Sequence, residues 1–149
     1  MYLGSKGIVH RDLKIANIFV HNGVSKIADF GFAVHHRYNL SIFSGIFKDL
    51  NIGSPLYMSP EGIHSNLYGA KTDIWAFGIM IYELYHGKTP FSHCASEESL
   101  KSNVIRPLQW SQINPSIPND AKELILACMT VQEDKRPHIQ DLNNLTYIQ

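Results

Sequence analysis

The 149-residue chain has no net charge to spend on a polyanion, since thirteen Lys and Arg balance thirteen Asp and Glu. That balance gives no electrostatic reason to expect nucleic acid or an anionic membrane as its main partner. Cysteine is scarce. Cys94 and Cys128 stand too far apart for a local metal knuckle and do not make a disulfide scaffold, so reduced, partly buried thiols are expected. Long hydrophobic runs are missing as well. The longest, Ile74 to Tyr82, has nine residues, whereas a membrane span needs roughly 20. The first residues, Met1 to Lys6, carry no apolar stretch of the signal-peptide kind. The reading is therefore a cytoplasmic chain without a membrane span. Repeats and low-complexity tracts are absent too.

What is present suffices for a core. Hydrophobic residues make up 44% and aromatics 11% of the chain, which excludes a disordered tail and fits one domain or part of one. Eight histidines are many, and His35-His36 invites a metal reading. No second ligand group stands at metal-binding spacing, so loop histidines are the expectation.

Patterning splits the chain in two. Short apolar pieces around 18–20 and 24–28 flank His21-Asn22-Gly23, and Asn-Gly between β-prone runs predicts a hairpin. Residues 35–53 read as loop, although Phe43, Ile46, Phe47 and Leu50 sit at helical spacing. Beyond them the chain is helical. Thr72 or Asp73 is positioned to cap a helix running to about His86 and closed by Gly87. Its apolar residues, Ile74 through Leu84, lie nearly all round, which predicts the buried axis of the domain. Further helices are expected near Ser96–Val104, from Asn119 as cap through Met129, and after Pro137.

Chemistry concentrates in His10-Arg11-Asp12-Leu13-Lys14-Ile15-Ala16-Asn17, followed twelve residues after Asn17 by Asp29-Phe30-Gly31. Taken singly, Asp12 and Asp29 read as turn acids. Together the two strings resemble the catalytic loop and magnesium-binding motif of eukaryotic protein kinases. Ser59-Pro60-Glu61 looks like the end of a kinase activation segment, and Asp73 to Gly78 like the start of the large buried helix. Lys135-Arg136-Pro137 resembles the late arginine motif. Five motifs in order cover nearly the whole chain. Ile15, where many relatives have proline, and Ala76, where serine is frequent, depart mildly from the pattern.

The resemblance implies a mainly α fold, a kinase C-terminal lobe built as a helical bundle around a buried central helix, with a short β-hairpin at the catalytic loop. It implies a partial kinase domain over 1–149, with the catalytic loop at 10–17, the activation segment at 29–61 and a helical subdomain at 72–149. The expected activity is transfer of the ATP γ-phosphate to serine or threonine hydroxyls of a protein substrate, with ATP and Mg2+ as cofactors. Asp12 would be the catalytic base, and Lys14 would balance charge on the transferred phosphate. Asn17 and Asp29 would ligate magnesium, whose hardness suits amide and carboxylate oxygen. Phe19 would lie in the floor beneath the adenine, His10 and Phe30 would stack, and Glu61 and Arg136 would form an internal ion pair.

Lys14 and the Gly53-to-Tyr57 segment point to the serine/threonine type. Lys26 to Ala33 and Gly53 to Met58 look like the autophagy-initiating kinases, although cell-cycle kinase families share pieces of both strings. Arg11 before Asp12 is the arrangement of kinases switched by activation-loop phosphorylation, with Ser44 and then Ser41 as candidate phosphosites. No glycine-rich loop or strand lysine precedes His10, so the N-terminal lobe is expected to be absent. A chain without it is expected to show no measurable turnover, feeble ATP affinity and an exposed apolar patch. The alternative reading is a non-catalytic lobe that binds kinase or regulatory protein partners, or a truncated product.

Overall fold

Asn22 and Gly23 both take positive φ, 51° and 75°, the geometry a two-residue turn needs to match strand twist. They join β2 (Ile18–His21) to β3 (Val24–Ile27), antiparallel with Ile18 opposite Ile27 and Phe19 opposite Lys26. The expected hairpin is thus present. The computed structural model describes residues 2–35 and 54–142 of the chain. Before the hairpin come a turn of helix, α1 (Tyr2–Ser5), then β1 (Ile8–Val9) and a 3-10 turn at Ile15–Asn17. After it, β4 (Val34–His35) pairs back onto β1. Ser41, Ser44 and the helical spacing of Phe43 to Leu50 lie outside the described residues.

The rest is helical: a 3-10 turn at Ser54–Tyr57, α2 (Pro60–Ser65), α3 (Ala70–His86), α4 (Glu97–Val104), α5 (Asn119–Cys128) and α6 (Ile139–Leu142), with further 3-10 turns between the later helices. Helix α2 was not foreseen as an element of its own. Its signal was nonetheless local: Ser59 caps it by accepting the Gly62 N–H, and Pro60 occupies the first turn.

Helix α3 is the axis of the core. Ile74, Trp75, Ala76, Ile79, Met80, Ile81 and Tyr82 are all buried along it. Leu84 corrects the all-round reading, because it stands 72% exposed. The start of α3 also differs from expectation. Gly69 is the cap, and its N–H donates to Thr72 Oγ1 at 3.0 Å, so the helix begins at Ala70 and leaves the Asp73 carboxylate for another task. Asn119 likewise is the first helical residue of α5, with Pro118 in the cap position. Ser96 caps α4 through the Ser99 N–H, and α6 follows Pro137 as expected.

Ala121, Leu124, Ile125 and Cys128 form one buried stripe of α5, the spacing of an amphipathic helix. The stripe meets α3 at Gly78, where an added Cβ would stand 2.7 Å from Cys128 Cβ and 2.9 Å from Met129 Cγ. Glycine there lets the two helices approach. Both cysteines are free thiols. Burial pushes the Cys128 thiol up to about 12, against the opposing charge of Arg136. A thiol that stays protonated is a poor nucleophile. Iodoacetamide at pH 8 is therefore expected to modify half-buried Cys94 and spare Cys128 until denaturant is added. Equal labelling of both in the native chain, read by mass spectrometry, would contradict this.

Candidate active site

The loop from His10 to Asn17 is held by its own polar groups. The Asp73 carboxylate, one turn into α3, accepts the His10 N–H at 2.7 Å and the Arg11 N–H at 3.0 Å. The grip coincides with a positive φ of 67° at Arg11, a conformation costly for a non-glycine residue. The Arg11 side chain reaches across to the Phe32 carbonyl at 2.6 Å. Burial pushes the Asp73 carboxyl above its ordinary value, and the two N–H donors only partly oppose the shift.

His10 is fully buried with both ring nitrogens engaged. Nε2 lies 3.1 Å from the Ala28 carbonyl and must donate to it, which leaves Nδ1 to accept the Asp12 N–H at 3.4 Å. The ring also meets Phe30, centroids 4.8 Å apart, but edge-on at 62°, so the expected stack is a T-shaped contact instead.

Three of the expected site residues converge. The Asp12 carboxylate receives Lys14 Nζ at 2.8 Å and Asn17 Nδ2 at 3.1 Å, both on Oδ2. Asn17 Nδ2 also donates to the Asp12 carbonyl at 2.9 Å. Asp12 and Asn17 are buried, while Lys14 is partly exposed. With its NH2 turned to Asp12, Asn17 keeps its amide oxygen as an acceptor. Asp29 is reached through the hairpin. The Ala28 N–H donates to the Asn17 carbonyl at 2.9 Å, closing the ladder one residue before it. Asp29 has a φ of 61°, and its Oδ1 accepts the Gly31 N–H at 3.3 Å.

Among the described residues no group of three or more His, Cys, Asp or Glu could hold a metal by itself. Asn17 and Asp29 instead present two hard oxygen donors. That fits magnesium, which keeps several waters and is bound through one or two carboxylates plus substrate phosphates. Phe19 lies on the hairpin and is 59% exposed, in the company of exposed Val20, Val24 and Ile27. A recess opens beside Asp12, bordered by Tyr57, Met58, Tyr68 and Thr72.

Glu61 and Arg136 meet as expected, although 75 residues separate them in sequence. Arg136 Nη1 and Nη2 donate to the two Glu61 oxygens at 2.7 and 3.0 Å. The remaining donors reach the Lys71, Thr130 and Val131 carbonyls, so every N–H of a fully buried guanidinium has an acceptor. Two contacts escaped the sequence reading: the pair of hydrogen bonds that Asp73 accepts from the His10 and Arg11 amides, and a hydrogen bond from the Tyr57 hydroxyl to the Glu83 carboxylate. Neither has a local signal, since each joins residues distant in the chain.

Comparison with known proteins agrees with this geometry. The family described as "Protein kinase domain" matches residues 1–148. NUAK family SNF1-like kinase 1 of Homo sapiens is 36% identical over 146 residues, covering 96% of this chain and 20% of that protein. Serine/threonine-protein kinase TOUSLED of Arabidopsis thaliana is 30% identical, covering 99% of this chain and 23% of its own length. Serine/threonine-protein kinase A-Raf of Sus scrofa is 37% identical over 145 residues, covering 91% and 23%. The chain thus spans about a quarter or less of these three relatives. With the loop, the hairpin and the buried ion pair in place, and the family matched over almost its whole length, the chain belongs to the protein kinase family.

Proposed function

We propose that the chain carries the catalytic loop of an ATP-dependent serine/threonine protein kinase. The observation that carries this reading is the convergence of Lys14 and Asn17 on the Asp12 carboxylate. Asp12 Oδ2 is occupied by two donors, which leaves Oδ1 to accept a hydrogen bond from a substrate hydroxyl and orient its oxygen for attack. Lys14 holds a positive charge beside that carboxylate, where a transferred phosphoryl group would gather negative charge. Bound ATP and Mg2+ supply the phosphoryl group and neutralise its developing charge. Asn17 Oδ1 and the Asp29 carboxylate are the oxygens that would hold the metal. Phe19 offers an apolar face for the adenine. Within the family, we place the chain near the autophagy-initiating kinases on Lys26 to Ala33 and Gly53 to Met58. Ser44 and then Ser41 are proposed as phosphorylation sites, since a phosphate there would suit pairing with the Arg11 guanidinium.

A second reading is favoured by exposed apolar side chains on both sides of the hairpin, Phe19 and Val24 on one and Val20 and Ile27 on the other. On that reading the 149 residues act as a non-catalytic lobe for kinase or regulatory protein partners. One experiment separates the two. Transfer of labelled γ-phosphate to a serine/threonine peptide library is measured in the protein carrying this chain. Asp12→Asn is expected to slow it by about 10²–10⁴-fold, the usual contribution of a positioned base. No transfer by the parent, or equal transfer by the variant, would overturn the catalytic reading.

A further inference from the structure

The segment 105–118, between α4 and α5, turns around Asn114. The Asn114 side-chain oxygen accepts the Ser116 N–H at 3.0 Å and the Ser116 hydroxyl at 2.7 Å. Its carbonyl accepts the Ile117 N–H at 3.1 Å, and Ile113 and Ile117 are buried on either side of the turn. The Asn114 N–H finds its partner outside the segment, donating to His86 Nε2 at 3.1 Å. His86 is the last residue of α3. Its Nδ1 lies 2.8 Å from the Tyr82 carbonyl one turn back, and its ring lies flat on the Tyr82 ring, centroids 3.7 Å apart. A carbonyl only accepts, so Nδ1 carries the proton and Nε2 keeps the lone pair that Asn114 needs. The two partners thus fix one tautomer of the ring.

We propose that His86 is a proton-sensitive latch: neutral, it fastens segment 105–118 to the end of α3, and protonated at Nε2 it releases Asn114. An imidazolium has a donor at each nitrogen, and a second N–H cannot bond the Asn114 N–H that faces it. Once the segment has let go, the proton is well placed. Nδ1–H keeps the Tyr82 carbonyl, and the aligned peptide dipoles favour a cation at a helix C-terminus. The released form binds one proton more than the fastened form, so fastening strengthens as pH rises and weakens as it falls. Histidine is the side chain suited to a charge change between about pH 5 and 8. The other titratable groups around the contact are engaged elsewhere or exposed. On α3, burial raises the Tyr82 phenol above its ordinary value, and the Glu83 carboxylate receives the Tyr57 hydroxyl. Lys88, just past Gly87, is exposed. Residues 107–119 include no charged side chain. On α5, Asp120 Oδ1 accepts the Ala121 N–H, and Glu123 is exposed. Lys122 Nζ donates to the Pro115 carbonyl at 3.1 Å and stands 5.2 Å from the Trp110 ring, which holds the segment at a second point. With that tether and the buried Ile113 and Ile117 intact, the latch governs local opening and not unfolding.

In the full chain, labelled for nuclear magnetic resonance, protection of the Asn114 amide against hydrogen exchange is measured at about pH 7.5 and about pH 5.5. Each value is corrected for free-amide exchange and divided by that of the Ile125 amide within α5. The ratio is expected to fall by about 2- to 10-fold on acidification, the factor one hydrogen bond is worth. The fall should follow the titration of the His86 ring in the same spectra, and at the higher pH the ring nitrogens should report the Nδ1–H tautomer. His86→Gln offers an acceptor oxygen that takes up no proton, so its ratio should not change with pH. His86→Ala should show the lowered ratio at both values. An unchanged ratio in the parent, an equal fall in either variant, or an Nε2–H tautomer overturns the proposal. Should both variants fail to fold, the parent's ratio and tautomer decide it alone. The measurement uses neither ATP nor turnover, so its outcome is independent of the catalytic reading.

Discussion

Arg136→Ala is expected to cost about 3–5 kcal/mol of folding stability, the loss seen when one partner of a buried ion pair is removed. A single domain is commonly stable by only about 5–15 kcal/mol, so the variant should be close to unfolded at body temperature. The reason is the completeness of the arrangement. Removing the guanidinium strands the Glu61 carboxylate and takes donors from the Lys71, Thr130 and Val131 carbonyls together. It also removes the cation 5.1 Å above the Trp75 ring. Urea unfolding should show a much lower midpoint with an unchanged slope. A loss under about 1 kcal/mol, the size of an ordinary surface change, would refute the account.

The pair also has a pH signature. Burial alone would raise the Glu61 carboxyl, but the Arg136 hydrogen bonds and charge outweigh it and leave the pKa lowered. A depressed carboxylate stabilises the fold above its unfolded value, and that contribution is lost as pH falls through the folded value. Parent stability should therefore decline on acidification below about 4.5, the ordinary value given for Glu61. Glu61→Gln should flatten the decline in that window.

Asp73→Ala carries the second large effect. It leaves the His10 and Arg11 amides without their acceptors, at about 1–3 kcal/mol for each buried donor left unmade. It also releases the positive φ at Arg11, so the loss is local as well as global. Amide exchange at His10 and Arg11 should accelerate far more than exchange in the middle of α5. Asp73→Asn keeps one acceptor and should lose roughly half as much. The pH dependence has the opposite sign from that of Glu61. The Asp73 pKa is raised in the fold by burial, so its contribution is full below the unfolded value and lost as pH rises through the folded one. Uniform exchange across loop and core in Asp73→Ala would show that the carboxylate does not hold the loop in particular.

The parts of the molecule legible in its sequence are those with contiguous or periodic signals. Asn22-Gly23 announced the hairpin, and the apolar run from Ile74 announced the axis, because turn chemistry and burial act on neighbouring residues. Asp12, Lys14 and Asn17 were found as one string and fold into one cluster. Asp73 was misread for a physical reason: an acid just before an apolar run is the usual cap signal, and here Gly69 and Thr72 fill that need first. Asn119 was displaced in the same way by Pro118. The Tyr57 to Glu83 bond and the close approach at Gly78 depend on how distant segments meet. A mid-helix glycine was the only hint of the latter, since it forfeits about 1 kcal/mol relative to alanine without a packing reason. The ion pair across 75 residues was legible only through family resemblance.

The hairpin sets different rules for changes in chain length at its two ends. Extra residues at Asn22-Gly23 enlarge a loop far from the Asn17–Ala28 closure and leave the ladder in step. One extra residue inside β3 with no match in β2 inverts every later side chain, because strand faces alternate. Asp29 would then be displaced relative to Asn17, although no residue of the site had been altered. Insertions that related chains tolerate should accordingly gather at the tip, and single-residue deletions within either strand should abolish the site while sparing the helical core.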